Sequence, residues 1–301
     1  ITISHDLHPL WRRNRKVFTN LMMRASWHSL RELLQDFKWL GALPGAIAVF
    51  QSWDDEMRDH CHIHMIITAG GLTGDNRWID VKKDRLVYTP VLASKFRGKF
   101  LAYLREGLNP LTSKGELKPD AERLYPPPGT TLQKCLNLLN RLGRKRWHAD
   151  IEPPYEHANG VFKYVGRYIH RGSISEKRII GYDKNTVRIA YAHQDKHAES
   201  DFSIPAKTFI NRFLSHVPAK GSHLVRSFGL FHPNCRPRLD TARKLLGQKA
   251  YEPLQEVPNT QQLLKQMYPE QEVNICPRCG AELETVLVYR YGRSPTWRKA
   301  A

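Results

Sequence analysis

Two histidines one residue apart are the first group in this chain whose types and spacing could do chemistry. His62 and His64 belong to a strand-like run that extends over residues 62–68. Side chains at positions i and i+2 of a strand share one face, so both imidazoles project together while Ile63 points into the core. Two imidazoles on one face supply half of a divalent-metal site. The alternative is a pair of solvated surface residues.

The strand-like run at residues 46–51 should lie beside these histidines. The charged segment that follows it predicts an antiparallel hairpin that turns near Glu56 and Met57. Residues whose numbers sum to about 113 then face each other, which places Gln51 opposite His62 on the same face. Its carboxamide oxygen would complete three protein ligands and leave open positions for water and phosphate.

Two neighbours of the histidines bear on this assignment. His60 has the same strand parity as His62 and is the alternative third ligand. Cys61 has the opposite parity, which argues against a closed zinc site built from cysteine and histidine.

A pair of tyrosines is the second chemical signal. Tyr164 and Tyr168 fall in a predicted helix over residues 157–171, where a spacing of four residues puts both phenols on one face. A phenol can attack a phosphodiester and form a phosphotyrosine that conserves the bond energy for rejoining. The alternative is two packing tyrosines beside a solvated basic face. That face is formed by Lys163, Arg167 and Arg171.

The charge balance indicates a partner that is a polyanion. The 301 residues carry 47 Lys and Arg against 29 Asp and Glu, a net charge of +18. The cations occur in short clusters with aromatic residues among them, and the cluster Arg144, Lys145 and Arg146 precedes Trp147. Cations neutralise phosphates and aromatic rings stack on unpaired bases, so nucleic acid is favoured over a surface that binds anions unspecifically.

The histidine strand that ends in Gly70-Gly71 and the later tyrosine helix together resemble the two-tyrosine HUH transposases of rolling-circle insertion sequences, which are relatives of Helitrons. The resemblance extends over most of residues 1–250. It implies an α+β fold with a central antiparallel sheet of about five strands, flanked by helices.

For the site, the resemblance implies Mg²⁺ or Mn²⁺ held by His62 and His64, with Tyr164 and Tyr168 as nucleophiles. They would cut single-stranded DNA at the element's ends and at the target, forming 5′-phosphotyrosine links. A plasmid replication initiator, a relaxase of the same superfamily and a catalytically silent DNA-binding relic remain alternatives. The chain has no P-loop motif, so we expect unwinding to come from host helicase or replication machinery.

Three regions are expected along the chain. Residues 1–216 would form the endonuclease domain, residues 217–255 a basic helical extension, and residues 256–301 a linker and tail. The tail carries Cys276 and Cys279, half of a zinc knuckle that His232 and Cys235 could complete. Members of the family that the chain resembles usually begin with a cysteine-rich zinc module, and the residues that follow Ile1 show no such pattern.

Composition also predicts where the protein works. The five cysteines are odd in number and mostly scattered, which indicates a reducing compartment. No apolar run reaches the roughly 18 residues that a membrane span needs. We therefore expect a cytoplasmic protein with no membrane partner, and the resemblance to the insertion-sequence transposases implies that it is bacterial and associated with the nucleoid.

Overall fold

An antiparallel hairpin of β1 (Gly45–Trp53) and β2 (Asp59–Ile67) forms the centre of the fold in the computed structural model. β8 (Val225–Gly229) pairs with the other edge of β1, so the strand order is β2-β1-β8. The structure describes residues 1–81, 86–110, 122–155, 161, 166, 172–191 and 201–249, with positions 262, 265, 266, 269, 275, 276 and 279–281.

Six α-helices surround the strands in the described ranges. They are α1 (His8–Arg13), α2 (Arg15–Gln35), α3 (Thr89–Leu108), α4 (Leu132–Arg144), α5 (Ala206–Ser215) and α6 (Arg236–Leu245). The remaining strands are β3 (Gly70–Leu72), β4 (Trp78–Asp80), β5 (Ile179–Tyr182), β6 (Thr186–Ala190) and β7 (Asp201–Pro205).

The largest hydrophobic core lies between the β1–β2 hairpin and the two long helices. Phe18 of α2 and Phe96 and Phe100 of α3 are fully buried there, and the rings of Phe18 and Phe100 meet edge to face. Cys61 and Ile63 of β2 face the same core. The apolar face of β2 is therefore committed to packing, which leaves its opposite face for the histidines.

The α+β class with antiparallel pairing is confirmed. Within the described ranges the strands form sheets of three, two and three strands, where the resemblance implied one sheet of about five. Isolated bridges extend the central sheet, since Thr2 pairs with His62, and Leu43 pairs with Leu72 of β3. After a bend at Ala69, β3 begins at Gly70 and forms a separate ladder with β4.

Two local expectations from the sequence differ from the structure. The apolar pattern that starts at His8 predicts one helix to residue 37, but the helix is interrupted at Asn14 and ends at Gln35. The pattern at residues 147–152 predicts a strand, but this segment pairs with no strand. Trp147 instead packs its ring against Phe96 and Phe100, which explains the apolar periodicity without a ladder.

The central sheet includes a strand beyond residue 216, the expected end of the endonuclease domain. β8 lies within the expected helical extension and pairs with β1 over residues 225–229. The chain divides into a unit at residues 1–250 and a second at residues 251–301. No helix in the described part of the chain is long and apolar enough to cross a bilayer.

Candidate metal centre and nucleic-acid surface

β2 alternates between a core face and a half-buried polar face, as its sequence predicts. Cys61 and Ile63 are 0% and 2% exposed, while His60, His62 and His64 are half-buried. The ring centroids of His60 and His62 are 4.9 Å apart, and those of His62 and His64 are 4.8 Å apart. The strand therefore carries a continuous row of imidazoles.

Gln51 lies opposite His62 in the register of the hairpin, which confirms the predicted pairing. Its side chain is buried, and its Oε1 atom is 3.2 Å from Nε2 of His62. The carboxamide oxygen and the imidazole nitrogen thus meet on the polar face of the sheet, beside His64.

Hydrogen bonding fixes the tautomer of His62. Its Nδ1 atom is 2.7 Å from the backbone oxygen of His60. Because a carbonyl oxygen only accepts, Nδ1 carries the hydrogen and donates it. The lone pair of the neutral ring then lies on Nε2, facing Gln51. A histidine that ligates a metal is commonly oriented by this kind of backbone contact from its other nitrogen.

Burial keeps both imidazoles in the form that binds metal. The pKa of His62 is lowered to about 3, chiefly by burial; the hydrogen bond to the backbone of His60 acts in the opposite direction, and the neighbouring imidazoles add to the lowering. Burial likewise lowers the pKa of His64 to about 4. Both rings are therefore neutral near pH 7, as a ligand must be.

The contact between Gln51 and His62 brings two acceptors together. Lone pairs on Oε1 and on Nε2 face each other at 3.2 Å, an arrangement that a cation between them would satisfy. Adjacent ligands of an octahedral Mg²⁺ at about 2.1 Å are about 3 Å apart, so the spacing fits. A carboxamide turned over would instead donate a hydrogen bond to Nε2, so the metal assignment depends also on His64.

The alternative third ligand is less well placed. In the described ranges no three side chains of His, Cys, Asp or Glu converge as a metal-binding group. His60, His62 and His64 therefore do not form a three-histidine set, although they follow one another along the strand. A centre on this face would use Gln51 with two histidines and leave the remaining positions to solvent and substrate.

The tyrosine pair lies outside the described residues. The structure of Tyr164 and Tyr168 is not described, and neither is that of the cations Lys163, Arg167 and Arg171. Val161 and Gly166, the two described positions nearest to them, are helical. The role of the tyrosines remains a prediction.

The basic cluster at the end of α4 is on the surface. Arg144, Lys145 and Arg146 are all exposed. The Nζ atom of Lys145 is 3.4 Å from the carboxylate of Asp6, and the backbone oxygen of Lys145 accepts a hydrogen bond from Arg97. The cluster is thus held beside the N-terminal segment of the chain and keeps Arg144 and Arg146 available to phosphates.

The cysteine pair in the second unit forms a tight turn. The backbone N–H of Gly280 donates to the oxygen of Cys276, and the N–H of Cys276 donates to Ala281. In the first unit, Nδ1 of His232 accepts the N–H of Asn234. The described residues include no metal-binding group at these positions, and zinc at Cys276 and Cys279 remains a prediction.

Sequence reasoning missed two histidines near the row on β2. The rings of His5 and His8 stack at 4.9 Å, and His5 meets His60 edge to face at 5.8 Å. Arg12 forms an ion pair of 2.5 Å with Asp59 at the start of β2. His5 and His8 are three residues apart in the sequence, a spacing that places both side chains on one face of a helix. This pattern could have identified them.

Together these observations define a class: a basic α+β protein whose central sheet presents two neutral histidines and a glutamine. The chain belongs to the transposase family that is described as "Putative transposase" (Y2_Tnp), whose model matches residues 45–238. The match includes Gln51, both histidines, both tyrosines and β8.

Two curated relatives have related sequences. The protein "Putative transposase y4qJ" of Sinorhizobium fredii is 28% identical over 286 residues, which cover 92% of this chain and 69% of the relative. The "Transposase for insertion sequence element IS801" of Pseudomonas savastanoi pv. phaseolicola is 23% identical over 233 residues, 76% of this chain and 52% of the relative. No solved structure matches.

Proposed function

We propose that this chain is a metal-dependent tyrosine endonuclease and strand transferase of the HUH type that moves an insertion sequence by a rolling-circle route. It would nick and rejoin single-stranded DNA at the ends of the element and in the target. The family match and the two relatives named as transposases support the DNA substrate. They favour this function over a replication initiator or a relaxase.

The observation that carries the proposal is the contact between Gln51 and His62. A buried carboxamide oxygen faces the unprotonated nitrogen of an imidazole at 3.2 Å, with a second neutral imidazole beside it. Such a donor set would suit a divalent-metal site with open coordination positions, which favours a catalytic over a structural metal. A bound Mg²⁺ or Mn²⁺ would withdraw charge from the scissile phosphate.

The residues of the chain would divide the remaining tasks. The phenol of Tyr164 or Tyr168 would lose its proton to solvent, and its oxygen would attack phosphorus and form the new P–O bond, while the bond to the 3′ oxygen breaks and that oxygen takes up a proton from solvent. A phenol of unperturbed pKa near 10 is ionised in about one molecule in a thousand at pH 7. Lys163, Arg167 and Arg171 would favour the phenolate and bind the flanking phosphates.

Two tyrosine nucleophiles would allow a second phosphodiester to be cut while the first phosphotyrosine bond is retained. One tyrosine holds the 5′ end of the cleaved strand as a phosphotyrosine, while the other opens a second phosphodiester. The free 3′-OH then attacks the first phosphotyrosine, reforms the phosphodiester and returns the phenol. The number of broken and formed P–O bonds is equal, so no external energy source is required.

The test is a covalent adduct between the protein and single-stranded DNA. Oligonucleotides that tile the non-coding flanks of the gene are incubated with the protein and Mn²⁺, and adducts are resolved on denaturing gels. We expect one flank to give an adduct that persists when Tyr164 or Tyr168 alone is changed to Phe and disappears in the double variant. An adduct that survives in the double variant, or none with any flank, would contradict the proposal.

A second measurement tests metal binding independently of DNA cleavage. Binding of Mn²⁺ is followed by the loss of its free-ion paramagnetic resonance signal. We expect the His62→Ala/His64→Ala variant to lose one site that the wild type holds. The matched control changes the exposed His148 and His223 to Ala and should keep this site. Equal binding of Mn²⁺ by both double variants would show that His62 and His64 do not hold the metal.

A further inference from the structure

A cleft of about 670 Å³ opens between α1, the start of β2 and the proline-rich segment before α4. His5, His8, Arg12, Arg13, Asp59 and Pro128 are among the residues that line it. Its volume is in the range of pockets that bind small organic ligands, and a nucleotide is of this size. None of these residues belongs to the proposed metal centre.

The cleft walls offer the two kinds of surface that an unpaired nucleotide needs. The exposed ring of His5, which stacks on the buried ring of His8, and the face of Pro128 are flat and partly apolar, which suits stacking of a base. Arg13 is an exposed cation that can reach phosphate oxygens, and Arg12 beside it is exposed and paired with Asp59.

Asp59 makes this cleft selective for a base over a bare phosphate. Its carboxylate is 9% exposed and is held by the guanidinium of Arg12 at 2.5 Å. An anion at the inner wall repels phosphate but accepts hydrogen bonds from the N–H groups on a base edge. The backbone phosphate would therefore lie on the outer side, at Arg13.

The proline-rich wall is fixed in place. Asn14, buried at the break between α1 and α2, donates from Nδ2 to the oxygen of Tyr125 at 2.7 Å. Its Oδ1 atom accepts the N–H of Tyr125 at 2.8 Å. The guanidinium of Arg13 also lies over the Tyr125 ring, 5.8 Å from its centroid. A wall clamped at both backbone groups is preorganised, so less ordering accompanies binding.

Ring contacts connect this cleft with the candidate metal centre. His5 meets His60 at 5.8 Å, and His60 meets His62 at 4.9 Å. A strand whose scissile phosphate lies at His62 would therefore pass the cleft with its neighbouring nucleotides. Only an unpaired base can enter, because a base within a duplex is stacked and paired.

We infer that this cleft binds an unpaired nucleotide of the DNA strand close to the scissile phosphate, and that it makes the protein select single strands over duplex. The inference rests on the proposed function for the identity of the strand. It adds a binding site in which His5 would stack on the base, Asp59 would accept hydrogen bonds from the base edge and Arg13 would bind the phosphate, with His8 and Arg12 supporting these residues.

The test measures DNA binding apart from cleavage. All proteins carry Tyr164→Phe and Tyr168→Phe and are kept in EDTA, and fluorescence anisotropy reports affinity for a flank oligonucleotide as single strand and as duplex. We expect His5→Ala/Arg13→Gln to weaken single-strand binding about tenfold, the size of one lost base stack. Both residues are exposed, so the fold should be retained.

The matched control is Arg77→Gln, because Arg77 is exposed and paired with Asp75 at 2.7 Å on the β3–β4 turn. It should lower single-strand and duplex affinity equally and only slightly. An equal loss for the control and the cleft variant, or an equal loss for single strand and duplex, would overturn the inference.

Photocrosslinking locates the nucleotide. An oligonucleotide with 5-iodouracil at successive positions is irradiated with the protein, and the crosslinked peptide is identified by mass spectrometry. Crosslinks from a position near the nick should fall in residues 5–13 or 125–128, and crosslinks confined to other segments would refute the assignment. If the tyrosine adduct never forms while these results hold, the endonuclease proposal fails and the cleft stands.

Discussion

His62 has its two ring nitrogens committed to different tasks. Nδ1 donates to the oxygen of His60, which orients the ring, and Nε2 faces Gln51. The short local contact sets the direction of a lone pair that a metal would use. A substitution at Gln51 therefore probes the site without disturbing the orientation of His62.

Exchange of Gln51 for Glu or Leu should change metal affinity in opposite directions. A carboxylate at this position adds an anionic oxygen, so Gln51→Glu should bind Mn²⁺ about tenfold more tightly than the wild type. Gln51→Leu keeps the volume but removes the oxygen, and should bind at least about tenfold more weakly. Calorimetric titration with Mn²⁺ measures both; identical affinities in the two variants would exclude Gln51 as a ligand.

His216 gives the fold a dependence on pH. Its Nε2 atom donates to the oxygen of Met57 at 2.9 Å, and Nδ1 accepts from the hydroxyl of Ser52 at 3.0 Å. Burial lowers the pKa of His216 below its ordinary value, although the contact with Met57 acts in the opposite direction. Protonation would place a charge in the interior and remove the acceptor that Ser52 uses.

The stability from His216 is complete above the unfolded pKa of about 6.5 and is lost as the pH falls below it, because the unfolded chain binds the proton first. Urea unfolding in EDTA should show a smaller loss of stability below pH 6.5 for His216→Gln than for the wild type. The difference in slope should reach at most about 1.4 kcal/mol per pH unit. Parallel curves for the two proteins would contradict this account.

At the scale of the elements, the hairpin was predictable and the cleft was not. The register that pairs Gln51 with His62 follows from strand parity and the position of the turn, both of which are local in sequence. The cleft wall depends on Asn14 binding Tyr125, 111 residues away. No local pattern encodes such a contact, and the same is true of the pairing of β8 with β1.

The attachment of β8 depends on a glycine. Gly229 has φ of +60°, and a Cβ atom there would lie 1.9 Å from the backbone oxygen of Pro44. Gly229→Ala should therefore lower the free energy of unfolding by about 2 kcal/mol or more, as measured with urea. The control is Gly98→Ala within α3, where no atom lies within 4 Å and helix propensity should add up to about 1 kcal/mol. Similar effects of both changes would be evidence against a tight β8 junction.

For the whole molecule, the net charge of +18 predicts that affinity for DNA falls as the salt concentration rises, with a slope set by the number of phosphates that are neutralised. Each phosphate neutralised on a single strand contributes about −0.7 to the slope of log affinity against log salt. Arg144→Gln/Arg146→Gln removes two exposed cations of the α4 cluster and should make the slope less negative by about 1.4. Anisotropy titrations between low and moderate salt measure it. A slope equal to the wild-type value would show that the cluster lies off the DNA path.

Because Cys61 and the histidines lie on opposite faces of β2, the candidate ligands should be insensitive to reagents that modify thiols. Cys61 stands between His60 and His62 in sequence, yet its thiol lies in the core, where burial raises its pKa. The proposed ligands are nitrogen and amide oxygen alone. Alkylating agents and peroxide that target thiols should therefore leave the candidate ligands unmodified, and treatment with them should not change the Mn²⁺ affinity of the protein.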